Sequence, residues 1–179
     1  MNYHKIEKTS IANGDGVRVV LWASGCSLHC KGCHNPQTWD CSSGKLFDES
    51  AKQELFEALS KPWIQGITFS GGHPLEDSNV ECILSLIREI KDKFPNKDIW
   101  LYTGLTLESI YPAVVLDELS TYDTCKQLVV ENCDVVVDGP FIESQKDLTL
   151  KWRGSKNQRV IDVQKTIQQN KIILYEGDN

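Results

Sequence analysis

Val17-Arg-Val-Val-Leu-Trp22 is a short β-branched and apolar run, and it leads through Ala23 into Ser24-Gly-Cys-Ser-Leu-His-Cys-Lys-Gly-Cys33, the start of a Gly/Cys-rich loop that continues to Asp40. Such a run reads as a strand, so the cysteines follow a strand's C-terminal end. Residues 66–69 form a second buried-strand pattern that ends in Ser70-Gly71-Gly72. Residues 99–102 and 135–137 repeat it, broken by Thr103-Gly104 and Asp138-Gly139. Helical spacing lies between these strands. Asp48 is placed to cap a helix carrying Ala51, Leu55, Ala58 and Leu59. Val80, Ile83, Leu84, Ile87 and Ile90 predict a second helix up to Phe94, and Leu107, Ile110, Val114 and Leu119 a third. Alternating strands and helices predict an α/β fold with a parallel sheet and right-handed crossovers. Ligands gather at strand C-termini in such folds, so the cysteine loop and the three breaks are expected to share one pocket. In the tail, residues 159–163 and 171–175 read as two short strands around a polar turn.

A chain of 179 residues, 40% hydrophobic and 25% charged, has the composition of a soluble globular protein. A single domain over residues 1–179 is expected, with the cluster loop at 24–40 and a tail from about 151 to 179. Lys5, Glu7 and Lys8 leave no apolar segment for a signal peptide, so a cytoplasmic location and no membrane partner are expected. The net charge of -6 and the absence of a basic cluster argue against nucleic acid. Seven cysteines without an export signal read as ligands or free thiols rather than disulfides.

Cys26-Ser-Leu-His-Cys30-Lys-Gly-Cys33 places three thiols within eight residues, close enough to fold around one metal centre. A cubane 4Fe-4S cluster has four irons, and electron carriers usually bind all four through cysteine. Three clustered cysteines would leave one iron open to a small molecule, as catalytic metal sites do. Two inert alternatives stay open at this point. A structural zinc could recruit His29 or His34, or Cys41 could complete a fully ligated cluster. Cys82, Cys125 and Cys133 read as core thiols. Gly71-Gly72 would let backbone approach a ligand, or would simply make a tight turn.

The CxxxCxxC loop after one strand and the GG-x-P after the next resemble the radical S-adenosylmethionine superfamily. Asn13-Gly-Asp-Gly-Val-Arg18, Cys33-His-Asn-Pro-Gln-Thr-Trp39-Asp40 and Ser70-Gly-Gly-His-Pro-Leu75 are similar to the glycyl-radical-enzyme activases. Lys97-Asp-Ile-Trp-Leu-Tyr-Thr-Gly104, Val137-Asp-Gly139 and Trp152-Arg-Gly-Ser-Lys-Asn-Gln158 narrow the resemblance to activators of the anaerobic ribonucleoside-triphosphate reductase. The resemblance implies a partial (β/α) barrel of the radical SAM type. It also implies a 4Fe-4S cluster on Cys26, Cys30 and Cys33, whose open iron is chelated by the methionine end of S-adenosyl-L-methionine. Reductive cleavage then gives a 5′-deoxyadenosyl radical that takes hydrogen from a glycine of the partner. Gly32, Cys33 and His34 match the segment beside the adenine, and Gly71 and Gly72 the turn facing the methionine amino group. Thr103, with Tyr102, Gly104 and Asp138, is placed by the strand-end rule at the same rim, where some are expected to touch the cofactor or the incoming glycine, Thr103 as a cofactor contact.

The implied partners are the large glycyl radical subunit of that reductase and an external electron donor, with a homodimer compatible with the complex. Alternatives are an activase of another glycyl radical enzyme such as pyruvate formate-lyase, or a non-catalytic zinc-binding module. Two residues depart from the wider pattern. His73 stands where an acid is usual, removing a charge-assisted contact to the methionine ammonium. Gly32 stands where an aromatic is common, so other groups must hold the adenine. Arg153 reads as structural or solvated, and Asp15 and Arg18 as turn and surface charges.

Overall fold

The apolar run that precedes the cysteines forms an interior strand of a seven-stranded sheet in the computed structural model, which describes residues 1–111 and 120–177. In chain order, β1 (Asn2–Ser10) and β2 (Arg18–Ala23) come first, then β3 (Lys45–Leu46) and α1 (Glu49–Leu59). β4 (Gly66–Gly71), α2 (Val80–Lys93), β5 (Asp98–Tyr102) and α3 (Leu107–Ile110) follow. α4 (Thr121–Glu131), β6 (Val135–Asp138), β7 (Arg159–Asp162) and α5 (Val163–Gln169) complete the series.

The sheet order is β3-β1-β2-β4-β5-β6-β7. β2, β4, β5 and β6 are parallel, as the βαβ pattern predicts. The edges correct the expectation of an all-parallel sheet: β1 runs antiparallel to β2, β3 to β1, and β7 to β6. Residues 11–17 are too short a link for a parallel crossover, so the chain must double back there. β1 escaped the sequence reading because two register shifts interrupt its pairing, leaving Tyr3, Ile6 and Ser10 buried at intervals that do not alternate.

One face of the sheet, with Val19, Leu21, Ile67, Phe69, Ile99, Leu101 and Val136, packs in the main core with the apolar stripes of α1 and α2. Asp48 caps α1 as its position predicts, accepting from the Ala51 amide at 2.9 Å. The third predicted helix is only four residues long to Ile110, and Val114 and Leu119 lie outside the described residues. α4 was not legible because its buried apolar residues, Val129 and Val130, come late in the segment. The tail also differs. α5 occupies the stretch read as a polar turn, capped by Asp162 on the Lys165 amide, and residues 171–175 contribute one bridge, Ile161 to Leu174, rather than a strand. Cys133 is buried and Cys82 and Cys125 pack against the core, as expected. No helix among the described residues is long and apolar enough to cross a membrane.

Arg18 is not a surface charge. Its side chain is fully buried at the N-terminal ends of the parallel strands, where Nη2 lies 2.5 Å from Asp98 Oδ1. It donates to Thr68 Oγ1 and to the carbonyls of Asp15 and Ile67, each at 2.9 Å. Its guanidinium stands over the Trp100 ring, which makes T-shaped contacts with Trp152 and Tyr175 from the tail. Burying a cation is tolerable because every part of the fork has an acceptor. Replacing Arg18 with Met strands Asp98 and is expected to cost about 3–5 kcal/mol in denaturant unfolding, with part of that recovered by adding Asp98→Asn.

Candidate functional site

The register places the C-terminal ends of the parallel strands side by side, with Ala23 opposite Gly71 and Tyr102 opposite Val137. The four loops expected to share a pocket therefore leave the sheet at one edge. The cysteine loop closes at its base, where the amides of Gly25 and Cys26 donate to the carbonyls of Thr38 and Trp39 at 2.8 and 3.0 Å. Between these anchors, His29 (φ 43°) and Gly32 (φ 74°) turn the chain back on itself. Cys26 is buried, and Cys30 and Cys33 are partly exposed.

Backbone amides point at two of the three sulfurs, those of Cys26 and Cys33. Asn35 N donates to Cys33 Sγ at 3.3 Å. Burial pushes the Cys26 thiol up, while the Leu28 and His29 amides favour its thiolate. Such N–H groups are the outer-shell donors that a metal-bound thiolate uses, so the loop fits an iron–sulfur cluster. Among the described residues no three His, Cys, Asp or Glu side chains converge on the position of a single metal ion. His29 is stacked against Trp39 at 4.6 Å, and His34 is exposed. Cys41 is exposed beside the loop, accepting from Ser78 Oγ at 3.7 Å.

The two glycines lie on the base of this loop. A Cβ on Gly71, whose φ is 107°, would stand 2.6 Å from Ala23 N, and one on Gly72 would stand 2.5 Å from Gly25 O. Gly72 N donates to Ala23 O and His73 N to Gly25 O, at 2.8 and 2.7 Å. Asn79, buried just before α2, donates to the carbonyls of both Ser24 and His73. Glu76 Oε2 accepts from the Ser27 amide at 2.9 Å and from its hydroxyl at 3.1 Å. Neither Asn79 nor Glu76 was singled out from sequence, since polar residues ahead of a helix read as ordinary capping.

His73 turns inward. Its Nε2 is 2.8 Å from Thr103 Oγ1, an oxygen that also accepts from the Leu105 amide at 3.1 Å. Thr103 is thus buried and bonded within the chain, and Leu28 of the cysteine loop reaches the next residue, Gly104. Asp138, expected at the rim, is a strut: it accepts from Arg159 and from the Leu107 amide, tying β6 to β7 and to α3. The stretch 152–158 pins the turn after β6. Gln158 bonds Gly154, Ser155 and Gly139, Asn157 bonds Pro140 O, and Arg153 donates to Gln158 O. That bond favours the structural over the solvated reading of Arg153. From the same connection Glu143 reaches Lys31 at 3.4 Å and stands close beside exposed Gly32, where a Cβ would meet Glu143 Oε1 at 2.9 Å.

Burial pushes His73 down to about 4 from its ordinary value of 6.5, against the pull of Glu76. Between those values the unfolded chain binds the extra proton. Folding stability therefore falls as the pH drops from 6.5 to 4, by roughly 3 kcal/mol in total, and is fully retained above that window. Metal-free His73→Gln protein should lose this slope in denaturant unfolding, and equal slopes in the two proteins would refute it.

Residues 12–161 match the family model described as a 4Fe-4S single cluster domain. The chain is 41% identical over 160 residues to an anaerobic ribonucleoside-triphosphate reductase-activating protein of Haemophilus influenzae, spanning 88% of this chain and 96% of that protein. The bacteriophage T4 protein of the same name is 42% identical over 163 residues, 89% of this chain and 93% of its own. The Escherichia coli K12 protein is 40% identical over 162 residues, 89% and 97% of the two lengths. The three-cysteine loop and the turn packed on its base thus sit in a chain that belongs to the 4Fe-4S single cluster domain family, together with the anaerobic ribonucleoside-triphosphate reductase-activating proteins.

Proposed function

We propose that the chain activates the anaerobic ribonucleoside-triphosphate reductase by generating a glycyl radical on its large subunit. The observation that carries this reading is the cysteine loop itself, with three thiols, amides aimed at the sulfurs of Cys26 and Cys33 and a glycine turn pressed on its base. Relatives at about 40% identity over most of the chain bear the activating protein's name, which supports this partner over pyruvate formate-lyase.

Cys26, Cys30 and Cys33 would hold a 4Fe-4S cluster. When bound, the cluster and S-adenosyl-L-methionine supply reductive cleavage to a 5′-deoxyadenosyl radical, the species that takes hydrogen from the partner's glycine. The chain's own residues orient and shield. Backbone at Gly71 and Gly72 would face the methionine amino group, offering carbonyls in place of the acid that His73 displaces. Gly32, Cys33 and His34 would lie along the adenine. Thr103, held by His73, would shape the far wall rather than bond the cofactor directly. The sheet would curve as a partial barrel around this rim in a single domain over residues 1–179. The site is expected to work in the cytoplasm with an external electron donor, and a homodimer within the complex is consistent with the role.

Anaerobic reconstitution with iron and sulfide, followed by electron paramagnetic resonance of the reduced protein, tests this. The spectrum should shift when S-adenosyl-L-methionine is added, and a glycyl doublet should appear on the reductase. A reduced cluster that cleaves the cofactor without a doublet on that partner would reject the assignment. Cys30→Ser should lose the bound iron and all radical formation, whereas Cys41→Ser should keep both at wild-type levels.

A further inference from the structure

The base of the cysteine loop is fixed by backbone bonds, but the arm beyond Cys26 projects outward, with Ser27 exposed. At Ser27 a side chain from the turn before α2 reaches it. Glu76 Oε2 takes both the amide and the hydroxyl of Ser27, at 2.9 and 3.1 Å. Glu76 is itself held in a rigid turn. Its amide donates to His73 O, its carbonyl accepts from Asn79 and Val80, and the adjoining Leu75 is fully buried. The same carboxylate oxygen stands 3.6 Å from His73 Nδ1, and His73 is bonded to Thr103. Ser27, Glu76, His73 and Thr103 thus bridge the ends of β2, β4 and β5.

We propose that Glu76 is a positioning residue whose carboxylate clamps Ser27 and so fixes the arm beyond Cys26 relative to the Gly71-Gly72 turn. The inference rests on reading the loop as a cluster site. The charge of Glu76 works against a thiolate at Cys26, so its contribution is geometric: a strong acceptor for two donors from one residue. The acid missing at position 73 reappears three residues on, turned toward the loop instead of the turn.

The test uses the full chain, metal-free and anaerobically reconstituted, with Glu76→Ala, Glu76→Gln and Ser27→Ala. In metal-free Glu76→Ala, exchange of the Ser27 amide should quicken about tenfold, the effect of losing one charged hydrogen bond. Reconstituted Glu76→Ala should release iron to a chelator several-fold faster and show a broadened resonance for the reduced cluster. Glu76→Gln keeps an acceptor oxygen and should recover most of both effects, and Ser27→Ala, which keeps the amide, should fall between. Wild-type rates in Glu76→Ala for amide exchange and iron release would overturn the clamp. Should Glu76→Ala fail to fold, Glu76→Gln decides: a Ser27 amide unprotected in that folded variant also overturns it. Wild-type protein that takes up no iron and sulfide would instead remove the cluster reading, while amide exchange still judges the clamp.

Discussion

Main chain meets main chain where the Gly71-Gly72 turn crosses the base of the cysteine loop, at separations that leave no room for a β-carbon. That close approach depends on glycine at both positions, and it is fastened by amides of the turn donating to Ala23 and Gly25. Cys26 is attached directly to this junction. Its position relative to the second strand end is therefore set by backbone geometry, which is stiffer than any side-chain contact. Asn79 reinforces the junction from inside by bonding both partners of the crossing.

The two ends of the parallel strands have different tasks. At the N-terminal ends, Arg18 and Asp98 are locked together under Trp100, and Trp152 and Tyr175 bring the tail over that ring. At the C-terminal ends, polar side chains link neighbouring loops, with His73 on Thr103, Asp138 on Arg159 and Glu143 on Lys31.

Two residues picked from sequence carry bonds that brace the frame at that rim. Asp138 is committed to Arg159 and the Leu107 amide, and Thr103 to His73 and Leu105. The strand-end rule brought them to the correct edge of the sheet, but it says nothing about which way a side chain turns once there. Conversely, Arg18 looked like a surface charge because its acceptors, Thr68 and Asp98, are far along the chain.

What the sequence alone determined is what neighbours a few residues apart can settle: the Asp48 cap, the apolar stripes of α1 and α2, the β-branched strands and the cysteine spacing. The class of the fold and the place of the cysteine loop followed from those local signals. Tertiary structure alone decided the antiparallel edges, the short helices near the tail and the partners of the buried polar groups. The reason is separation: Glu76 meets Ser27 from 49 positions away and His73 meets Thr103 from 30. Such pairings leave no periodic trace in the chain, and they exist only once the sheet has aligned its strand ends.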